Sequence, residues 1–346
     1  MKKFNKTILD VIGNTPIIKI QKLAKHVESE IYVKLEYMNP GGSVKDRLGY
    51  VMCKEAVARG DIKPGGTFIE GTSGNTGVGI AMYAAVNGYK AVFIMADKQS
   101  KEKIDNLKAF GAEVVVCPTN VEPDDPRSYY SVSALLGKKL ENGIHLNQYS
   151  NADNFKTHYT WTGPEIYEQT QGDFDIFMAS VGTGGTISGT GKFLKEKMPK
   201  LKVVGIDCKG SILAHYHKTG EMTAANSYVL EGIGEDFLPE NVKFDVIDDF
   251  EIVGDEESFQ MTRQMLKEEG IYSGGSCGSA LLGAIRYAEK LKEPKRILVI
   301  LPDSGNRYSS KIYNDNWMKQ HNYKVEENNQ IKKRIDEILK KEGVRL

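Results

Sequence analysis

Cysteine is scarce and unpaired in this chain. Its four cysteines, Cys53, Cys117, Cys208 and Cys277, lie far apart with no CxxC pair, which excludes a disulfide framework and a cysteine-based zinc module. An excess of charge of one sign is also missing, since 46 lysines and arginines balance 46 aspartates and glutamates. Without such a field neither a nucleic acid nor a membrane surface is favoured, and a small-molecule partner is. No apolar run reaches the ~18 residues of a membrane-spanning helix, and no apolar segment with a cleavage site opens the chain. A soluble, cytoplasmic protein with free thiols is expected. His215 and His217 stand two residues apart, but no cysteine or carboxylate completes a ligand set around them, so no metal is expected.

What is present is a regular alternation. Apolar, β-branched runs at 31–36, 90–95, 113–117, 175–180, 202–206 and 296–301 are separated by helix-period stretches at 46–59, 75–87, 99–110, 186–197, 255–269 and 277–291. This pattern predicts an α/β fold with mostly parallel twisted sheets flanked by helices. At 346 residues the chain exceeds the ~250–300 at which single cores stop growing, so two lobes are expected. Nothing repeats and no low-complexity linker precedes residue 318, so the lobes are interleaved. The last stretch is highly charged, with Ile331, Ile335 and Leu339 on one helical face. It reads either as a helix packing on the body or a partner subunit, or as a frayed tail.

Three glycine-rich turns share one grammar. FIEGTSGNTGVGIAMYAA, 68–85, runs from a strand through a polar turn into a small-residue helix, bringing Thr72, Ser73, Gly74, Asn75 and Thr76 to a helix N-terminus. Such a turn suits a carboxylate, or simply caps the helix, although a cap needs one such residue and not four. SVGTGGTISGTGKF, 180–193, offers Gly182, Thr183, Gly184, Gly185 and Thr186, the chemistry of a phosphate cup or of a tight connection. It fits neither GxGxxG, which needs glycine at Ile187, nor a Walker A ending. IYSGGSCGSALLGA, 271–284, is expected to repeat the strand–turn–helix plan with Ser276 at its centre. Together the turns suggest a ligand with a phosphate, a polar ring and an adjacent carboxylate.

With GGSVKDR at 41–47, LEGIGEDF at 230–237 and ILPDSGNRY at 300–308, these motifs resemble, in order and spacing, the fold type II pyridoxal-phosphate enzymes that include cysteine synthase and cystathionine β-synthase. The similarity runs from about residue 7 to NDNWM at 314–318, and PTNVEPDDPRSYYSV, LNQYSNADNFKTHY, GIDCKGSIL and LEGIGEDF are most similar to the catalytic core of cystathionine β-synthase.

The resemblance implies a larger cofactor-binding lobe of 1–45 plus 153–318, a smaller, mobile substrate-binding lobe of 46–152, and a helical tail at 319–346. It implies pyridoxal phosphate joined as an imine to Lys45, the phosphate on Gly182, Thr183, Gly184, Gly185 and Thr186, the ring hydroxyl on Asn75 and the pyridine nitrogen on Ser276. A hydroxyl at Ser276 makes the ring a weaker electron sink than an aspartate would, which favours loss of a β-substituent. Thr72, Ser73, Gly74 and Thr76 would hold the substrate carboxylate, Gln148 and Tyr149 would line the substrate side, and Glu231, Gly232 and Glu235 would face the second substrate. The implied reaction joins serine to homocysteine through an aminoacrylate. The alternatives are cysteine synthesis from O-acetylserine and sulfide, or a cysteine lyase releasing hydrogen sulfide. A homodimer is implied. Neither the haem-binding segment nor the regulatory modules of the animal enzymes are expected. Glu235, where those enzymes carry an aromatic residue, and Cys277, where a small residue is usual, depart from the pattern near the substrate. A binding protein that has lost the chemistry is the rival reading, against which Lys45, Asn75 and Ser276 stand. A nucleotide-dependent transferase, lacking a Walker lysine, is more remote.

Overall fold

The computed structural model describes residues 4–97, 99–122, 125–325, 330–342 and 344. Among the described residues ten strands form two sheets: β1 (Ile17–Lys19), β2 (Glu30–Leu35), β3 (Thr67–Gly71), β4 (Lys90–Ala96), β5 (Glu113–Cys117), β6 (Gly143–His145), β7 (Ile176–Ser180), β8 (Lys202–Cys208), β9 (Asp249–Val253) and β10 (Arg296–Leu301). The larger sheet has the order β1-β2-β10-β7-β8-β9 and the smaller β5-β4-β3-β6. Every pairing is parallel except β1 with β2. The predicted α/β class with parallel sheets is the observed one.

Burial on both faces explains why the strands read as continuous apolar runs. Ile31, Val33, Val204, Ile206 and Val299 face one side of the larger sheet, against Ala280, Leu281 and Ala284 of helix Gly275–Glu289. Phe177, Val203, Leu298 and Ile300 face the other, against Ile187 and Leu194 of helix Gly185–Lys197. In the smaller sheet Phe68 and Phe93 pack on Leu48, Met52 and Ile80 from helices Lys45–Arg59 and Asn75–Asn87. Each such side chain contributes about 1.5–3 kcal/mol when fully buried.

Three expectations need correction. No strand precedes Gly274: the segment makes a single bridge, Ser273 to Ser304, because β10 already pairs β2 on one edge and β7 on the other. The helix expected over 255–269 is α-helical only to Gln264 and ends in a wider turn, Met265–Glu269, stopped by Gly270 in the left-handed region. The tail forms a helix, Gln330–Lys341, but Ile331 and Ile335 are exposed, so the body does not cover their face.

Candidate active site

The start of helix Lys45–Arg59 is fixed from three directions. Its cap, Val44, donates its backbone N–H to the carbonyl of Pro302 at 2.8 Å, just beyond the end of β10. Its backbone presses on helix Asn75–Asn87 through a glycine pair: a Cβ on Gly49 would stand 2.4 Å from the Gly79 carbonyl carbon, and one on Gly79 would stand 2.6 Å from the carbonyl oxygen of Lys45. Only glycine allows so close a crossing. Below it, buried Arg47 donates to Glu36 and to Glu165, with contacts of 2.7–2.8 Å to each. Lys34, also fully buried, donates to Glu165 at 2.7 Å.

So held, Lys45 points into a cavity at the carboxyl ends of β7 and β10, lined also by Ser180, Gly182, Thr183, Gly184, Thr186, Gly232 and Pro302. The carboxyl end of parallel strands is where open α/β sheets bind ligands. Lys45 Nζ donates to Thr183 Oγ1 at 3.3 Å, and Asn154 Nδ2 donates to the same oxygen at 3.1 Å. Burial lowers the lysine's pKa to about 8, against the opposing pull of the Glu235 and Glu70 carboxyls. About a tenth of the amine is therefore neutral, and nucleophilic, at pH 7, rising to half near pH 8.

Gly182, Thr183, Gly184, Gly185 and Thr186 form one concave turn. Gly184 adopts φ +86°, and a Cβ on Gly185 would fall 1.9 Å from Asn154 Oδ1, so side chains there are excluded. Helix Gly185–Lys197 starts here, and its first-turn N–H groups have no partner within the helix. Thr186 Oγ1 pairs with His158 Nε2 at 3.3 Å; burial, with Lys45 and Arg47 nearby, drives that imidazole well below its ordinary pKa and keeps it neutral.

Of the other expected residues, the structure brings some to this cavity and not others. Ser276 lies behind it, its carbonyl accepting from Ser180 Oγ at 3.0 Å. Asn75 donates to Asp303 at 2.9 Å and accepts from Arg307. Thr76 Oγ1 donates to Gln148 Oε1 at 2.7 Å, and Gln148 Nε2 donates to the Gly71 carbonyl, so these two brace each other. Thr72 Oγ1 accepts from Gly74 N–H, whereas Ser73 is exposed. Tyr149 packs its ring on Phe237. Glu231 is ion-paired to buried Lys103 and to Lys311, whereas Glu235 Oε1 lies 3.7 Å from where a Cβ on Gly182 would stand. Cys277 is fully buried and donates to the Asp303 carbonyl, away from the cavity.

Sequence reasoning missed Glu70, Asn154, Lys103, Asp303 and Arg307. Glu70, Asn154, Asp303 and Arg307 all lie within motifs named above, but their roles are not local, because only the assembled sheets bring Asn154 to Thr183 and Glu70 to Lys45.

A family model described as "Pyridoxal-phosphate dependent enzyme" matches residues 8–303. The chain belongs to this family. Cystathionine beta-synthase of Mus musculus is 45% identical over 322 residues, 92% of this chain and 57% of that protein. The chain thus spans a little over half the length of that relative. Cysteine synthase 1 of Neurospora crassa is 38% identical over 92% of this chain and 85% of its own. Among solved structures, the O-acetylserine dependent cystathionine beta-synthase from Helicobacter pylori superposes with a TM-score of 0.81 at 36% identity, covering 90% of this chain and 99% of that one.

The family's cofactor is pyridoxal phosphate, and the residues present fit it. The cup offers unspent helix N–H groups and two hydroxyls to a phosphate, with the Glu235 carboxylate standing at its Gly182 edge. A buried amine with a pKa of about 8 stands beside it, ready to meet an aldehyde. The rate at which the cofactor-free protein takes up pyridoxal phosphate should therefore rise with pH and level off above about 8, because only the neutral amine reacts. Glu70, whose own carboxyl burial pushes up to about 8, supports the ammonium form when ionised. Glu70→Gln is expected to move the midpoint to lower pH. Stopped-flow absorbance across pH 6–10 checks both, and a flat profile would refute the role given to burial.

Proposed function

We propose that this protein catalyses β-replacement on serine, with homocysteine as the incoming thiol and cystathionine as product. The carrying observation is the placement of a buried lysine amine in the cavity beside the cup, with the Glu235 carboxylate at the edge of that cup. The relatives at 45% and 38% identity support the reaction class.

Bound pyridoxal phosphate supplies the electron sink that acidifies the substrate's Cα–H and lets the β-substituent leave. Lys45 is the amine assigned to its aldehyde carbon, the Gly182–Thr186 cup to its phosphate, Asn75 to the ring hydroxyl and Ser276 to the ring nitrogen. Lys45, freed when the substrate's amine takes its place, would take the Cα proton as general base. The serine hydroxyl departs with a proton as water, the thiol sulfur bonds to Cβ and gives up its proton, and Lys45 returns a proton to Cα. Serine and homocysteine thus become cystathionine and water. Thr72, Ser73, Gly74 and Thr76 are assigned to the substrate carboxylate, braced by Gln148, with Tyr149 beside it. Glu235 and Gly232 border the path of the thiol, and Glu231 is assigned to holding that border through its two lysines. Closure of the 46–152 lobe onto the rest would exclude water. The protein is assigned to the cytoplasm, consistent with its four buried free thiols, and to a homodimer.

The second reading, cysteine synthesis from O-acetylserine, is favoured by the likeness to the Neurospora cysteine synthase and to a solved enzyme that its title calls O-acetylserine dependent. Mass-spectrometric product analysis of serine or O-acetylserine with homocysteine or sulfide separates the two. Cystathionine from serine should exceed cysteine from sulfide by ~tenfold or more in kcat/KM. No cystathionine from serine plus homocysteine would eliminate the first reading.

A further inference from the structure

Glu235 belongs to two spaces. Its Oε1 stands at the Gly182 cup, and its side chain also lines a larger crevice of about 800 Å³. One wall of that crevice is Tyr129 and Tyr130, at the start of helix Tyr129–Lys139; the other is Tyr228, Glu235 and Asp236. The rings interlock across the gap. Tyr129 and Tyr130 have centroids 3.9 Å apart, and Phe237 stands edge-on to Tyr130 at 6.1 Å.

Charge in the crevice is one-sided. Lys311, which also lines it, is paired with Glu231, and Lys103 pairs with the same carboxylate. Among the described residues no lysine, arginine or histidine pairs with Asp236, which is exposed within the crevice. Aromatic faces beside a carboxylate are the surroundings that attract an organic ammonium ion, by ring quadrupole and by charge. An inorganic sulfide ion has nothing to gain there.

We propose that Asp236 and Tyr130, with Tyr129 and Phe237 behind them, form the subsite that receives the ammonium group of the second substrate. They therefore select an amine-bearing thiol over sulfide. The inference rests on the β-replacement reading, and it adds the residues that set acceptor specificity. The acceptor's nitrogen lies in the crevice and its sulfur points past Glu235 toward Lys45.

Two isosteric thiols test it on the cofactor-loaded enzyme. Dimethylaminoethanethiol is a cation whose tertiary nitrogen cannot condense with an aldehyde, and isoamyl thiol is its neutral counterpart. Each is measured as an inhibitor of turnover with whichever acceptor the product assay identifies. The cation should inhibit ~tenfold or more tightly than its isostere. That ratio should fall to near one in Asp236→Asn and in Tyr130→Ala, and survive in Tyr130→Phe, which keeps the ring. Because Asp236 is exposed, its amide variant leaves the core packing alone. A ratio near one in the parent enzyme, or a high ratio unchanged in both Asp236→Asn and Tyr130→Ala, overturns the proposal. Failure of the reaction reading shows separately, as the absence of cystathionine in the product assay.

Discussion

Lys45→Ala should fold with at least parental stability and lose β-replacement by about a hundredfold to ten-thousandfold, the range for removing an essential acid–base group. Stability is preserved because the amine contributes little to the fold. Its one described hydrogen bond is a 3.3 Å contact to Thr183, and its burial opposes the charged form enough to bring its pKa to about 8. Removing a desolvated amine costs less than removing a paired one. Borohydride reduction followed by peptide mass mapping should find the cofactor on the Lys45 peptide of the parent and on no lysine of the variant. Lys45→Arg should be equally inactive, since a guanidinium does not deprotonate near neutral pH and cannot act as base. Ethylamine supplied in solution should restore part of the activity to the alanine variant by occupying the vacated slot, and to the arginine variant not at all. Undiminished turnover by Lys45→Ala would remove the lysine from the mechanism.

Much of the architecture could be read from sequence because burial on both faces of parallel sheets writes itself as continuous apolar runs. RILVIL at 296–301 is a strand with those same bounds; EVVVC at 113–117 is one too, but as an exposed edge strand its run reflects β-branched propensity and not burial. Short strands without such runs were missed: β6 is the three residues Gly143–His145, and it exists only because β3 offers an edge. The segment before Gly274 failed in the opposite way. It has strand-like residues, but β10 has no edge left for it.

At the site, glycine-rich helix starts were legible, since few residues tolerate the backbone they require, and Lys45 meets the Gly182–Thr186 turn in one cavity. Partners across the fold were not legible. Asn154 reaches Thr183 from 29 positions away, and Lys103 reaches Glu231 from 128. Glu231 and Glu235 look alike in LEGIGEDF, but two lysines engage the first, while the second reaches the cup.

Arg47→Ala should lose about 3–5 kcal/mol of stability, the cost of breaking a buried ion pair from one side. Arg47 and Glu36 are both fully buried, and the guanidinium also spans Glu165. Without it, Glu36 keeps hydrogen bonds from Thr15 and Asn39 but loses the cation that touches it. Arg47→Lys should recover only part of the loss, because an ammonium cannot make two forked contacts at once. Burial alone would push Glu165 up; the hydrogen bonds and charge of Arg47, together with Lys34, outweigh it and hold the carboxyl down at about 2. Glu36 is likewise held below its ordinary value, against its burial, chiefly by the charge of Arg47. The sign of the pH dependence follows. Carboxylates with depressed folded values contribute stability that is complete above their unfolded pKa of ~4.3 and lost as pH falls toward the folded value. The deficit of Arg47→Ala should therefore be largest near pH 7 and shrink below about pH 4, where protonation neutralises the stranded carboxyls. Urea unfolding at both pH values measures it. The same clamp sits two residues from Lys45, on one helix turn, so the variant should also bind pyridoxal phosphate more weakly at temperatures where it is still folded. A deficit of equal size at pH 4 and pH 7 would show that Arg47 acts through packing, with no part played by the charge it neutralises.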